Sequence, residues 1–257
     1  MKNLLKYLFG KFFWFKYSDE LHYRGSWRQG RFNGKGCLKY KNGNVYTGCF
    51  KDGAKHGHGS FISLTSGYEY HGNWVNGKQT GQGQVHYKNG NIYTGSFLDG
   101  LRSGFGELFT AKDRRNYLGS WEKDNLIGEA KVSSDAWVFK GRIDHPNVTA
   151  NGKMIYKDQS TYQGYLFDFK RHGYGIFKNC IGEEIKGIWN NDVNVEKAEK
   201  TDAYGFVWQG SFKNLKPDGL LKVKRPDDHC YDGIWSEGKM IRVLGVQGLE
   251  PKPYVVH

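Results

Sequence analysis

The feature that most constrains the fold of this 257-residue chain is an anchor residue followed two places later by glycine, repeated ten times, with an aromatic anchor in all but one instance. The first instance is Tyr23-Arg24-Gly25, and successive instances lie 22 to 24 residues apart. Such a period indicates an array of small units that each contact their neighbours, rather than a globular domain. The ten anchor residues are Tyr23, Tyr46, Tyr70, Tyr93, Tyr117, Phe139, Tyr162, Ile185, Trp208 and Tyr231.

Each unit has further marked positions when residues are counted from its anchor. Glycine occupies offset two in every unit, and Trp or Phe usually occupies offset four. Side chains alternate faces along a strand, so these residues share one face with the anchor. Glycine recurs near offset seven and as Gly-x-Gly at offsets eleven and thirteen, which predicts a loop and then a second strand beginning near that pair. The structural glycines of the first five units are Gly25, Gly48, Gly72, Gly95 and Gly119.

The links between units carry their own turn signal. Tyr40-Lys41-Asn42-Gly43 recurs two units later as residues 87–90. Asn-Gly is typical of a type I′ turn, which predicts that tight turns join successive hairpins. The predicted fold is therefore all-β, an elongated, twisted, single-layer antiparallel meander of about ten stacked hairpins. At roughly 4.8 Å per strand, it would be about 90 to 100 Å long.

This pattern resembles the MORN family (membrane occupation and recognition nexus repeats), whose motif is roughly Tyr-x-Gly-x-Trp-x-x-Gly-x-x-x-Gly-x-Gly. The resemblance covers about residues 23 to 245 and is closest in the first four units. It implies a scaffold or docking module, often near membranes or the cytoskeleton, and it does not imply catalysis. Later units depart from the motif, since the offset-seven glycine is replaced by Asp124, Pro146, Phe169, Asp192 and Leu215.

The predicted organisation has three parts: an N-terminal amphipathic segment (1–20), the MORN repeat array (21–245) and a C-terminal tail (246–257). The two end segments are too short for a catalytic domain. We therefore expect no enzyme activity, no catalytic residue and no cofactor. We also expect no metal site, because His56-Gly57-His58 has no second cluster to complete one. Four cysteines without metal spacing are typical of reduced thiols in a cytoplasmic protein.

Residues 1–17 lie outside the repeat and place Leu and Phe at helical spacing, with lysines between them. This predicts a short amphipathic helix, too short to span a membrane and unlike a signal peptide. Two interpretations stay open: the helix covers the first hairpin as a cap, or it lies in a membrane interface. The membrane-facing residues would be Lys2, Lys6, Lys11, Phe12, Phe13, Trp14 and Lys16.

The net charge of +12 is unevenly distributed. Residues 1–116 hold 18 Lys and Arg against 7 Asp and Glu, whereas residues 117–257 hold 20 against 19. One interpretation is solvated strand faces on which lysine discourages edge pairing. The other is a preference of the N-terminal half for an anionic phospholipid or an acidic protein. Nucleic acid is an unlikely partner, because the repeat itself already accounts for the aromatic residues.

The leading functional hypothesis is a non-catalytic scaffold that holds an extended or helical segment of a protein partner in an aromatic groove, at a membrane or cytoskeletal surface as a further option. The alternative is a peripheral membrane protein that binds anionic phospholipid through the basic N-terminal half and residues 1–17. A homodimer through the open sheet edges is also compatible with the pattern. The residues predicted to line the groove are Tyr23, Trp27, Tyr46, Phe50, Tyr70, Trp74, Tyr93, Phe97, Tyr117 and Trp121.

Overall fold

The computed structural model of the protein describes residues 13–145 and 149–247. Within those ranges all regular secondary structure is β-strand, in 22 strands. The chain divides into two units, residues 1–134 and residues 135–257. The all-β prediction is confirmed for the part of the chain that is described, and the two units are considered separately.

The first unit is an antiparallel meander in which each strand pairs with the next one along the chain. Its strands are β1 (Phe15–Ser18), β2 (Leu21–Arg28), β3 (Arg31–Tyr40), β4 (Val45–Lys51), β5 (Ala54–Ser63), β6 (Tyr68–Val75), β7 (Lys78–His86), β8 (Ile92–Leu98), β9 (Leu101–Thr110), β10 (Arg115–Glu122) and β11 (Asn125–Ser133).

The second unit is built in the same way, with antiparallel pairing between successive strands. The short strand β19 and strand β20 both pair with β18. The strands are β12 (Trp137–His145), β13 (Thr149–Tyr156), β14 (Thr161–Phe167), β15 (Lys170–Lys178), β16 (Glu184–Asn190), β17 (Asn194–Thr201), β18 (Val207–Lys213), β19 (Lys216–Pro217), β20 (Gly219–Lys224), β21 (Cys230–Ser236) and β22 (Lys239–Gln247).

The two-residue turns lie inside the hairpins, at offsets six and seven. Asp52 and Gly53 join β4 to β5 with φ angles of 50° and 91°, the pair of positive values that a type I′ turn requires. The prediction of such a turn at Asn42-Gly43 was wrong. That link has four residues, and only Gly43 has a positive φ, of 83°. The Asn42 side chain instead accepts a hydrogen bond from the Asn44 amide at 3.1 Å, which stabilises the longer loop.

The second strand of each hairpin begins before the Gly-x-Gly pair rather than at it. In the first hairpin β3 starts at Arg31, and Gly34 and Gly36 lie within the strand. The register passes from Gly25 opposite Gly36 to Trp27 opposite Phe32, so β3 carries a bulge between those points. Gly34 has a φ of 76° there. A bulge of this kind bends the strand and increases its twist.

The N-terminal segment departs from the predicted helix where it is described. Residues 1–12 lie outside the described residues. Phe15, Lys16 and Tyr17 belong to β1, so the helix prediction is wrong for these three positions. Their backbone pairs with β2, Phe15 standing opposite Tyr23, and this pairing satisfies groups that would otherwise form an open sheet edge. At the other end β22 runs to Gln247, and residues 248–257 of the predicted tail lie outside the described residues.

The core of the first unit lies on the face that carries the anchors. The Tyr46 ring centre is 5.0 Å from that of Phe50 in its own unit and 5.3 Å from that of Trp74 in the next, both edge to face. The Tyr46 hydroxyl donates a hydrogen bond to the Cys49 carbonyl at 2.8 Å. A Cβ on Gly48 would lie 2.6 Å from that hydroxyl oxygen. Glycine is therefore needed at offset two, because the tyrosine ring occupies the space of a side chain.

Candidate functional site

The ten residues predicted to line a groove form the core of the first unit. Nine of them have exposed fractions between 0 and 7%, and Tyr117 is half-buried. Almost none of their surface is open to a partner, because each ring is covered by its neighbours. Their predicted role in partner binding stays a prediction. Replacing Trp74 and Phe97 by alanine would remove two buried core rings, so such a variant tests folding rather than partner binding.

Residues at offset nine complete the cover over the rings, and they were not identified from the sequence. Phe32 stacks on Tyr23 with ring centres 4.0 Å apart. Lys55 takes the same place in the second repeat, where its Nζ lies 4.4 Å from the Phe61 ring centre and 4.6 Å from that of Trp74. Burial lowers the pKa of Lys55 to about 8. The aromatic face of this unit is thus closed by its own side chains.

Arg102 is the offset-nine residue of the fourth repeat, and it contacts a residue that replaces a motif glycine. Its Nε lies 3.0 Å from Oδ1 of Asp124, and its Nη2 donates a hydrogen bond to the Asp124 carbonyl at 2.7 Å. Asp124 has a φ of 69°, the conformation that glycine would adopt more easily. The loss of glycine at this position therefore comes with a contact between successive repeats.

The second unit contains the same contact at the corresponding positions. Arg171 Nε lies 2.7 Å from Oδ1 of Asp192, whose φ is 68°. The Arg171 guanidinium also stands over the Trp189 ring at 4.4 Å, as that of Arg102 stands over Trp121 at 4.4 Å. We call each of these Arg–Asp pairs an arginine clamp. The signal was present in the sequence: arginine at offset nine precedes aspartate at offset seven of the next repeat.

The open surface of the first unit is the opposite face of the sheet, which a line of glycines crosses. One glycine per strand stands in direct register with the next from β2 to β10. Nine strands at roughly 4.8 Å make this line about 38 Å long. We call it the glycine lane, formed by Gly25, Gly36, Gly48, Gly59, Gly72, Gly83, Gly95, Gly106 and Gly119.

Two rows of side chains border the lane, because the residues before and after each glycine point to the face opposite the rings. All of them are exposed or half-buried, and most are polar. Row one consists of Arg24, Cys37, Thr47, Ser60, His71, Gln84, Thr94, Glu107 and Leu118. Row two consists of Ser26, Lys35, Cys49, His58, Asn73, Gln82, Ser96, Phe105 and Ser120.

Hydrogen bonds order the polar side chains within each row. Gln84 Nε2 donates to Thr94 Oγ1 at 3.0 Å in row one, and Gln82 Nε2 donates to Ser96 Oγ at 2.8 Å in row two. The Thr47 hydroxyl donates to Cys37 Sγ at 3.3 Å. These rows were missed from the sequence, although small polar residues at offsets one and three were visible in the first units.

A cleft of about 760 Å³ lies on the lane where the first two repeats meet, floored by three lane glycines. Its basic lining side chains are Arg24, Lys35 and His58, and none of the described residues that line it carries a carboxylate. The remaining lining side chains are Ser26, Cys37, Thr47 and Cys49.

Trp14 lies at the β2 end of this face, between two cations. The Arg24 guanidinium is 5.1 Å from its ring centre, and the Lys39 Nζ is 4.4 Å from it. Trp14 is one of the residues predicted to face a membrane, and it is half-buried. Phe13 and Lys16 are exposed, and Lys16 pairs with Asp19. The other predicted membrane-facing residues, Lys2, Lys6, Lys11 and Phe12, lie outside the described residues.

The second unit has a shorter lane with different walls. Gly141, Gly152, Gly164, Gly175 and Gly187 stand in register across β12 to β16. The row-two positions of its middle strands hold Tyr165, Tyr174 and Ile188, which are 53, 58 and 44% exposed. The lane ends where Ala198 follows. In the ranges 13–145 and 149–247, no helix has the length and hydropathy needed to cross a membrane.

This architecture defines a class: hairpin-repeat proteins, in which most units pack an aromatic anchor over a pair of glycines on neighbouring strands. The MORN repeat model matches residues 23–45, 46–63, 70–92, 93–111 and 231–240. The chain therefore contains MORN repeats. The matched segments include the first four repeats, where the motif is most regular.

Individual relatives match over short stretches or at low similarity. Alsin of Rattus norvegicus and Alsin of Homo sapiens are each 45% identical over 51 residues, which is 19% of this chain. The chain matches 3% of the length of these curated relatives. The TCP domain of SAS-4 (dCPAP) from Drosophila melanogaster, solved with a proline-rich motif of Ana2, is 13% identical with a TM-score of 0.32. That comparison covers 67% of this chain and 80% of the other, and a likeness at this score supports no inference.

Proposed function

We propose that this protein is a non-catalytic interaction module that binds an extended segment of a protein partner along the glycine lane of its first unit. The observation that carries the proposal is the lane itself, nine glycines in register between two rows of accessible, mostly polar side chains. The partner segment runs across the strands, with its backbone over the glycines and its side chains between the two rows.

The distribution of burial supports the lane over the aromatic face. The rings that could anchor a partner are packed against one another and are covered by Phe32, Lys55 and Arg102. On the lane face, His71, Asn73, Gln82 and Thr94 are exposed and present hydrogen-bonding groups. An extended peptide has unpaired backbone N–H and C=O groups, which such side chains can satisfy.

The test blocks the lane with a large side chain in each row. Peptides of about 12 residues, the extended length that spans about 38 Å, are selected from a random library on the full chain. We expect Ser60→Trp and Asn73→Trp to weaken binding of the selected peptides by roughly tenfold or more, since each indole would overhang the lane floor.

The matched control is Ser66→Trp, an exposed serine in the turn between β5 and β6. It adds the same side chain outside the lane and is expected to leave peptide affinity unchanged. Equal affinity of the wild type and both lane variants would contradict the proposal, as would failure to select any peptide. Thermal unfolding of each variant establishes that the sheet is intact.

Membrane binding through residues 1–17 and the basic N-terminal half remains the alternative proposal. The observation that favours it is the exposure of Phe13, 61% accessible, close to the exposed Lys16. An aromatic residue beside a cation suits the boundary between lipid headgroups and acyl chains. Co-sedimentation with vesicles that contain anionic lipid distinguishes membrane binding from peptide binding.

A further inference from the structure

We propose that the glycine lane has a fixed polarity and selects a segment with an anionic side chain at one end and an apolar side chain about nine residues away. This inference rests on the proposed function and names the chemistry of its partner. The anionic group, a carboxylate or a phosphorylated side chain, lies at the β2–β3 end. The apolar group lies against Phe105 on β9.

The β2–β3 end holds cations that the described protein does not neutralise. Arg24 and Lys35 are exposed and both line the 760 Å³ cleft. Within residues 13–145 and 149–247, neither forms an ion pair. His58 lines the same cleft, while Ser26 and Thr47 supply hydroxyl donors. Two cations with hydroxyl donors, in a cleft whose described lining has no carboxylate, favour an anionic ligand.

Trp14 prepares this end for binding. Arg24 and Lys39 both stand against its ring, so the long Arg24 side chain is held over the sheet rather than free in solvent. A side chain held in this way loses less conformational entropy when it binds a ligand. The position of Trp14 thus favours a defined anion site over a diffuse basic surface.

The other end of the lane has the opposite character. Phe105 in row two is 62% exposed, an unusual position for a large aromatic side chain on a mostly polar face. It stands opposite Ser120, and Glu107 follows it in row one. An apolar partner side chain can cover the Phe105 ring there, whereas Glu107 repels an acidic one.

The separation of the two ends fixes the spacing in the partner. Six strand steps separate β3 from β9, which is about 29 Å at roughly 4.8 Å per step. An extended chain covers this distance with about nine residues at roughly 3.3 Å each. Between the ends the rows present Thr, Ser, His, Asn and Gln, whose uncharged forms impose no further charge on the segment.

The charge pattern fits an acidic segment better than a lipid surface. The unpaired cations of the lane are confined to one end, and the remaining strands of this face present mostly neutral side chains. A bilayer is attracted by a cluster of several basic residues spread over a surface. A recessed floor between two rows suits a single chain, which can enter the cleft where a planar surface cannot.

The experiment reverses the charge at the β2–β3 end. The random peptide library is selected in parallel on the wild type and on the Arg24→Glu/Lys35→Glu variant. On the wild type we expect acidic residues to be enriched about nine positions from an apolar residue, in one chain direction. On the variant we expect Lys and Arg to replace them, and wild-type peptides to bind it roughly tenfold more weakly.

Further arms identify the source of the anion and the role of the apolar end. Peptides with aspartate or phosphoserine at the acidic position are compared by fluorescence anisotropy, and binding by either form supports the inference. Phe105→Ser should remove the apolar enrichment while the acidic enrichment remains. Lys112→Glu, at an exposed residue in the β9–β10 loop, is the charge control and should select the same peptides as the wild type.

The outcomes distinguish this inference from the proposed function. Identical peptide pools on the wild type and the charge-reversed variant would overturn the inference. If Ser60→Trp still weakens the binding of those peptides, the proposed function stands. If the charge reversal changes no pool and Ser60→Trp weakens no peptide, both proposals are overturned. If no peptide is selected, and the wild type co-sediments with phosphatidylserine vesicles while Arg24→Glu/Lys35→Glu does not, this end binds a membrane instead.

Discussion

At the scale of single residues, each lane glycine is required by the aromatic face of the sheet. A Cβ on Gly36 would lie 2.6 Å from the ring carbon Cζ of Tyr23, so only glycine leaves room for the anchor ring. The side-chain direction at this position is toward the rings, and the lane face therefore shows backbone there, between the side chains of the two rows. The glycines are thus explained by folding, and the chemistry of the proposed binding surface lies in the residues on either side of them.

Lys55 is packed among aromatic rings, unlike a solvated surface lysine. Burial against Phe61 and Trp74 lowers its pKa to about 8, from an ordinary value of 10.5. Between these values the unfolded chain binds more protons than the folded one, so stability rises with pH. Burial raises the pKa of Tyr70 and Tyr93 to about 12, so the stability that their neutral forms contribute is lost only above pH 10.

We therefore predict that the free energy of unfolding increases from about pH 7.5 to about pH 9.5 in the wild type. In Lys55→Met, which keeps an unbranched side chain among the rings, this increase should be much smaller. Denaturant unfolding curves at several pH values measure the difference. Parallel pH profiles for the two proteins would mean that burial of the ammonium group does not disfavour its charged form.

At the scale of structural elements, the arginine clamps connect successive hairpins where the repeat motif loses its glycine. Asp124 holds a positive φ, which disfavours folding, but its side chain and carbonyl both accept hydrogen bonds from Arg102. The Arg102 side chain is only 17% exposed, so solvent screens this pair less than it screens a surface pair.

A double-mutant cycle measures the clamp. In the wild-type background, Asp124→Gly should destabilise the protein, because it removes the partner of Arg102. In an Arg102→Gln background the same change should cost less, because glycine relieves the positive φ and the only bond lost is that from the residue 102 backbone N–H to Asp124 Oδ1. We expect a coupling energy of about 1 kcal/mol from unfolding curves, since Asp124 is itself 44% exposed.

The control for this cycle is the exposed pair of Lys78 and Asp99, whose side chains are 61 and 65% accessible. Lys78→Gln and Asp99→Asn should show almost no coupling. If the two cycles give equal coupling energies, the clamp stabilises no more than a surface ion pair, and the loss of glycine has no compensation of this kind.

Turn placement shows what local sequence can and cannot predict. The repeat predicted the hairpins, their antiparallel order and the face that carries the rings. It misplaced the type I′ turns at Asn42-Gly43, although Asp52-Gly53 carries an equally strong signal. The difference is loop length, since two residues join β4 to β5 and four residues join β3 to β4. Strand register sets the length of each loop, and composition alone does not predict the register.

The proposed binding face could not be predicted from the repeat pattern for a related reason. Aligned rings such as Tyr46 and Trp74 predicted a groove, because large aromatic residues are common binding anchors. Only the distances between repeats reveal that each ring is closed over by the next unit and by residues such as Lys55. The arginine clamps were detectable in principle, as an arginine followed 21 or 22 residues later by an aspartate at the offset-seven position.

At the scale of the whole molecule, the two units share one architecture and differ in the walls of their lanes. In the first unit mostly polar side chains border nine glycines in register, with two cations that form no ion pair in the described ranges. In the second, Tyr165, Tyr174 and Ile188 occupy positions that are mostly polar in the first. The two units thus share a largely aromatic and aliphatic core, while the residues beside each glycine differ between them.

The most direct test of this account is photo-cross-linking of a selected peptide to the two faces of the first unit. A benzophenone amino acid is introduced at Thr94, on the lane, or at Tyr87, which packs against Tyr68 on the aromatic face. Mass spectrometry then identifies the cross-linked residues. Our account predicts a peptide cross-link at Thr94 and none at Tyr87. A cross-link at Tyr87 alone would place the partner on the aromatic face and contradict the account.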